Sequence, residues 1–138
     1  MNRRTMLLVM NAETPDAQVT DAAEAAAKGQ HHLSCLLLGA APTLPMYAYG
    51  VPPYGGMNIP DNWTELVMQA QEDQKERVEA IEALLAKSDA SGDVQSAICA
   101  TVDVKRRVAQ AARVSDEVYI AANMRDAPEV MREAIYGV

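Results

Sequence analysis

Few residues in this chain are of a type and spacing that could carry out chemistry. The two histidines, His31 and His32, are adjacent and precede an apolar run. On an extended chain neighbours point to opposite faces, so the pair cannot share one ligand and reads as surface residues. The two cysteines, Cys35 and Cys99, each sit inside an apolar segment and read as buried thiols, not as a disulfide or a metal pair. No His/Cys/Asp cluster has metal-ligand spacing. Neither a Gly-x-Ser-x-Gly elbow, nor a Gly-x-Gly-x-x-Gly turn, nor a Walker-type glycine–lysine loop is present. The Gly50–Gly56 stretch (GVPPYGG) has no lysine and too much proline to cradle a phosphate. The sequence therefore points to a domain without catalysis of its own.

Charge narrows the partners. Twelve Lys+Arg stand against 19 Asp+Glu, a net charge of −7. Phosphate backbones need clustered cations, and Lys105-Arg106-Arg107 is the sole basic run, so no nucleic-acid partner is expected. No run approaches the ~20 apolar residues of a membrane span. Met1-Asn2-Arg3-Arg4 is followed by too short an apolar stretch for a secretion signal, and a cytoplasmic location is expected.

The 138 residues suit one domain, and four strand–helix pairs can be placed along them. Thr5–Met10 (TMLLVM) is continuously apolar, as in a strand buried on both faces. Thr14-Pro15-Asp16 then opens a helix, with Thr14 as cap and Pro15 at the first helical position. Val19, Ala22, Ala23, Ala26 and Ala27 give it a small apolar face, and Gly29 ends it. Leu33–Leu38 is a second buried strand. Gly39 to Pro60 holds five of the seven prolines, together with Tyr47, Tyr49 and Tyr54, and reads as an inserted loop with a possible partner-binding surface. Asp61 caps a long helix to about Ser88, whose stripe of Val67, Ala70, Val78, Ile81 and Leu85 is interrupted by Gln74. Val94–Ala100 is a third strand, and Val104, Val108, Ala111 and Ala112 mark a third helix. Val118–Ala122 is a fourth strand. A last helix starts near Asp126 and presents Val130, Met131, Ala134, Ile135 and Val138 on one side. Strand–helix alternation predicts a three-layer, doubly wound parallel sheet of α/β class, with right-handed crossovers. Ligands bind such sheets at the carboxyl ends of the strands, where strand order reverses. That places the candidate site at Asn11–Thr14, Leu38-Gly39 and the segment from Ala122 onward.

The end of the first strand separates the doubly wound families. Asn11-Ala12-Glu13-Thr14-Pro15 lacks the hydroxyl- and glycine-rich loop of a flavodoxin. A receiver domain would need more acids there and a phospho-acceptor aspartate after a later strand, where this chain has Ala100-Thr101. The layout instead resembles the universal stress protein family over essentially the whole chain. The features that carry the likeness are a short polar turn after strand one, a small loop after strand two, the insertion, the long second helix and the small-residue fourth strand Val118-Tyr119-Ile120-Ala121-Ala122. The resemblance implies a Rossmann-like sheet and a non-catalytic regulatory or binding domain, connected with stress response. It also implies an alternative, an ATP-binding protein with an altered pocket. Carried over by position, the adenine-contacting acid of strand one falls on Asn11, beside Ala12, and the strand-two backbone contact on Leu38. The glycines of the phosphate signature fall on Ala122, Arg125 and Ile135, with Gly137-Val138 in place of Gly-Ser/Thr. A fifth strand is missing after the last helix, so a homodimer or a tandem domain partner is expected at the open sheet edge.

Overall fold

The computed structural model describes residues 4–41 and 62–138. Most of the Pro/Tyr-rich insertion, including its three tyrosines, and the Asp61 cap lie outside the described residues. The elements are β1 (Thr5–Asn11), α1 (Asp16–Lys28), β2 (His32–Ala40), α2 (Trp63–Lys87), β3 (Gly92–Cys99), α3 (Thr101–Ala112), β4 (Glu117–Ile120), a 3₁₀ helix (Ala122–Asp126) and α4 (Pro128–Gly137). The strands form one parallel sheet in the order β3-β2-β1-β4. Strand order reverses at β1, which pairs with β2 on one side and with β4 on the other.

The two longest apolar runs became the two central strands. Met6–Met10 of β1 and Leu33–Leu38 of β2 are buried without a break, as two helical layers require. α1 packs on α2 and α3 on α4. The crossovers through α1 and α2 step one way along the sheet and that through α3 steps back, so right-handed connections put the two pairs on opposite faces. Val19, Ala23 and Ala26 seat α1, Ile81 and Leu85 seat α2, and Val104, Val108 and Ala111 seat α3.

Several local expectations are corrected. Thr14 does not cap α1: Pro15 is the cap residue, without a side-chain bond, and the Thr14 hydroxyl is spent inside the molecule. Gly29 does cap α1, yet the left-handed turn falls on Gln30, at φ 57°. β2 continues through Gly39 and Ala40, where the sequence pattern predicts the start of the loop. Gln74 is no interruption of the α2 stripe, because it is buried and its Nε2 donates to the Leu37 carbonyl at 3.0 Å. β3 is an edge strand, with half of its residues exposed and only Ala97 buried. Ala122 belongs to the 3₁₀ helix and not to β4, and α4 starts at Pro128 with Ile135 and Val138 exposed. The face it buries is Ala134 and Gly137; a Cβ on Gly137 would lie 2.5 Å from the Lys105 carbonyl, which is how closely α4 crosses α3. The cysteines cannot pair, since Cys35 lies opposite Val94 and Cys99 opposite Ala40, at different levels of the sheet. No described helix is long and apolar enough to cross a membrane.

Candidate functional site

The carboxyl end of the sheet is organised by side-chain amides and one hydroxyl. Asn11, the last residue of β1, accepts at Oδ1 from the Glu13 backbone N–H (3.1 Å) and from Asn123 Nδ2 (2.7 Å). Thr14 turns back so that its Oγ1 accepts the Asn11 backbone N–H at 3.1 Å. The single Thr14 hydroxyl proton has two acceptors, Asn123 Oδ1 at 2.8 Å and Asn11 Oδ1 at 3.2 Å, and the shorter contact holds it. Gln18 of α1 reaches across to accept the Ala122 backbone N–H at 3.1 Å. These bonds bind the β1–α1 turn to the 3₁₀ helix after β4, at the point where strand order reverses.

Arg77 of α2 fixes the same turn from above. Its Nη2 donates to the Thr14 carbonyl at 2.6 Å and its Nη1 pairs with Asp16 Oδ1 at 2.7 Å. Arg77 follows Gln74 by three residues and precedes Ile81 by four, so it continues the buried stripe of α2. That spacing is the signal by which the sequence could have nominated it. Nothing in the sequence pattern singles out Asn123 or Gln18.

Beside this network lies a cavity of about 260 Å³. Its walls come from three strand ends and two helix starts: Asn11, Ala12 and Glu13 after β1, Leu38–Ala40 of β2, Cys99 of β3, Thr101 and Val104 of α3, and Ala127 and Val130 at the head of α4. Thr101 and Val104 put the start of α3 at the cavity wall, and Ala127 and Val130 put the start of α4 there; neither helix has a side-chain cap, and Pro128 at the head of α4 has no N–H. The described segment ends at Ala41 on its rim, where the Ala41 N–H donates to the Cys99 carbonyl.

Of the residues nominated from sequence, Asn11, Ala12 and Leu38 line this cavity together. Ala122 and Arg125 do not. Ala122 has its N–H committed to Gln18, and Arg125 lines a separate shallow depression with Pro128, Met131, Arg132, Ile135 and Tyr136. The N–H groups of Met124 and Ala127 are likewise used, in bonds to Ala121 and Met124 carbonyls. A backbone wound into a 3₁₀ helix cannot offer a row of N–H groups to a phosphate in the way a glycine loop does.

The titratable groups on the cavity wall are Glu13 and Cys99. Burial and the nearby Asp103 carboxylate push the Cys99 thiol up, with Arg107 and Arg106 opposing. Cys35, deeper in the sheet, is pushed up to about 12 by burial and by Asp93. Both thiols stay protonated near neutral pH and are poor nucleophiles. Among the described residues no group of three His, Cys, Asp or Glu could hold a metal ion. The site can enclose a small planar group between apolar walls and meet its polar edge with Asn11; the described residues on its wall include no acid–base pair.

Thr14→Val tests the network. It removes the bond to Asn123 and leaves the Asn11 N–H without its acceptor at a site 2% exposed. The expected loss is about 2 kcal/mol, read by urea unfolding. An unchanged midpoint would mean that water replaces the hydroxyl.

No family model matches the sequence, and none of the curated proteins does. Solved structures do match the fold. A protein of the universal stress protein family from Burkholderia pseudomallei superposes with a TM-score of 0.65 at 17% identity, over 95% of this chain and 89% of that one. The universal stress protein from Archaeoglobus fulgidus gives 0.53 at 16%, over 98% and 92%. A universal stress protein in complex with cAMP gives 0.54 at 13%, over 96% and 90%. At these identities the likeness concerns architecture: the chain has the universal stress protein fold, in a version whose described residues form four parallel strands.

Proposed function

We propose that this domain is a non-catalytic binding module of the universal stress type, and that its cavity takes the base or nucleoside part of an adenine nucleotide. The observation that carries the reading is the cavity at the strand-order reversal, where Asn11, Leu38 and Gly39 line one apolar space. A structure of the same fold holds cAMP, which supports an adenine ligand. At about 260 Å³ the space falls just below the ~300–1,000 Å³ common for ligand pockets, and it suits one ring system better than a whole nucleotide. The phosphates of a nucleotide would lie outside it, facing a 3₁₀ helix whose amides are largely committed. Hydrolysis of ATP would need those phosphates to be held and a base to activate water; among the described wall residues Glu13 is the one carboxylate and none is basic.

Calorimetry with adenosine, AMP, cAMP and ATP tests this. Adenosine and ATP should bind within about threefold of each other, since a contact that adds little energy changes Kd little. Ala40→Trp, at the cavity wall, should weaken all of them at least about tenfold. Heat from none of the four would remove the adenine reading. A hundredfold preference for ATP over adenosine would show that the phosphates are held after all.

A further inference from the structure

The opposite end of the sheet carries a group of side chains that the cavity does not use. Parallel pairing sets Leu33 opposite Gly92 and Ser34 opposite Asp93. With the two-residue repeat of a strand, His32 and Ser34 share a face with Ser91, Asp93 and Gln95. His32 Nε2 lies 2.7 Å from Asp93 Oδ1, and His32 Nδ1 lies 2.9 Å from Ser91 Oγ. The second carboxylate oxygen of Asp93 accepts from Ser34 Oγ at 3.3 Å, and Gln95 Nε2 donates to Ser34 at 3.4 Å. The imidazole is thus held between a carboxylate and a hydroxyl, and the carboxylate is itself held.

The hydrogen positions follow from what each group can do. An ionised Asp93 can only accept, so Nε2 carries the proton in the neutral ring. Nδ1 is then a lone pair that can accept from the Ser91 hydroxyl across their 2.9 Å contact. That is the order of an orienting acid, a general base and a nucleophile, with the base using Nδ1. We propose that Ser91 is an activated nucleophile that takes the acyl group from activated esters, with His32 as its base and Asp93 as the positioning residue. The acyl group meets Ser91 at the surface, since the nearby depression lined by Leu85, Ala90, Gly92 and Asp93 includes neither Ser91 nor His32.

In the first step Ser91 Oγ bonds to the acyl carbon, its proton passes to Nδ1, and the ester C–O bond breaks. The leaving alkoxide or phenolate then takes that proton from Nδ1. In the second step water adds to the acyl carbon with His32 again as base, and Ser91 Oγ leaves with the proton. The side chains of His32 and Asp93 are 31% and 47% exposed, so water weakens the electrostatic help to both steps. The acyl-serine should therefore accumulate and turn over slowly.

The experiment is incubation of the whole chain with p-nitrophenyl acetate, followed by intact-mass and peptide mass spectrometry. One acetyl group is expected on Ser91, formed about a hundredfold faster than on any other serine, the lower end of what a positioned base contributes. Ser91→Ala should abolish that modified peptide, and Asp93→Asn should slow it at least about tenfold with an unchanged thermal midpoint. Acetyl groups scattered over lysines with none on Ser91 would overturn the proposal. So would an Asp93→Asn rate equal to the parent's, which would reduce the set to a structural ion pair. Adenine binding at the other end of the sheet is independent of either result.

Discussion

Gln74→Glu is expected to lower stability by about 3 kcal/mol at neutral pH, or about 10 °C in thermal midpoint, and to make that loss depend on pH. Gln74 is 8% exposed, and its amide donates to the Leu37 carbonyl of β2. A carboxylate has no proton to donate, so it would set an oxygen against an oxygen in a site poor in water. The new carboxyl can restore the bond only when protonated, so its folded pKa must rise above the ~4.3 of an unfolded glutamate. Between those two values the folded state holds more protons than the unfolded one. Stability is then near the parent's below about pH 4, falls as pH rises through the window, and levels off above it. Urea titrations at pH 4 and pH 7 read this directly. Equal losses at the two values would mean that the side chain swings out to solvent. The same position explains a close packing nearby, since a Cβ on Gly39 would meet the Gln74 carbonyl oxygen at 2.7 Å.

Leu7→Ala should cost about 3–4 kcal/mol, the loss usual for a buried leucine whose surroundings close only partly. Leu7 is completely buried, on a strand with neighbours on both sides and helices above and below. A central strand between fixed neighbours cannot shift to fill the space, so the cost stays well above the lower end of the ~2–5 kcal/mol seen for such changes. Chemical denaturation of the variant measures it. A loss below about 1.5 kcal/mol would show that the core around β1 repacks freely. Exposed Leu66 of α2 offers a comparison, because its truncation removes little contact.

The two strands buried on both faces were legible because an unbroken apolar run has few other uses. β3 and β4 were harder, since a strand's place in a sheet is set by which neighbours it finds, and that is not local information. VQSAICA looks as buried as LSCLLL but lies on an edge. The start of α4 was misplaced although its signal was present. A residue before proline avoids helical geometry, and Ala127 before Pro128 is at φ −126° and ψ 71°. For the candidate site, the switch-point argument names Asn11, Ala12 and Leu38, which line one cavity, without any contact information. It could not find Asn123, which reaches Asn11 from 112 positions away and sits in a stretch with no distinctive spacing. Thr14 was read as a cap because a threonine before a proline and an aspartate serves that role in many chains; here the buried amides compete for its hydroxyl and win. His32 reads as a surface residue and is 31% exposed; its partners Ser91 and Asp93 were not legible because they arrive through the β2–β3 register.

The place of β1 at the reversal of strand order also sets a sequence of events in folding. β1 pairs with β2 after only α1 has formed between them, but Met6 meets Glu117 only when most of the chain has been made. Closing so long a loop gains no contact energy until its ends meet, so this pairing belongs to the slow end of the process. The links from Asn123 to Asn11 and Thr14, and from Ala122 to Gln18, wait on the same closure. On a ribosome the nascent domain would therefore carry its first three strands while the cavity walls from α3 and α4 were still incomplete. Closure of the cavity would report that every element of the sheet had been made.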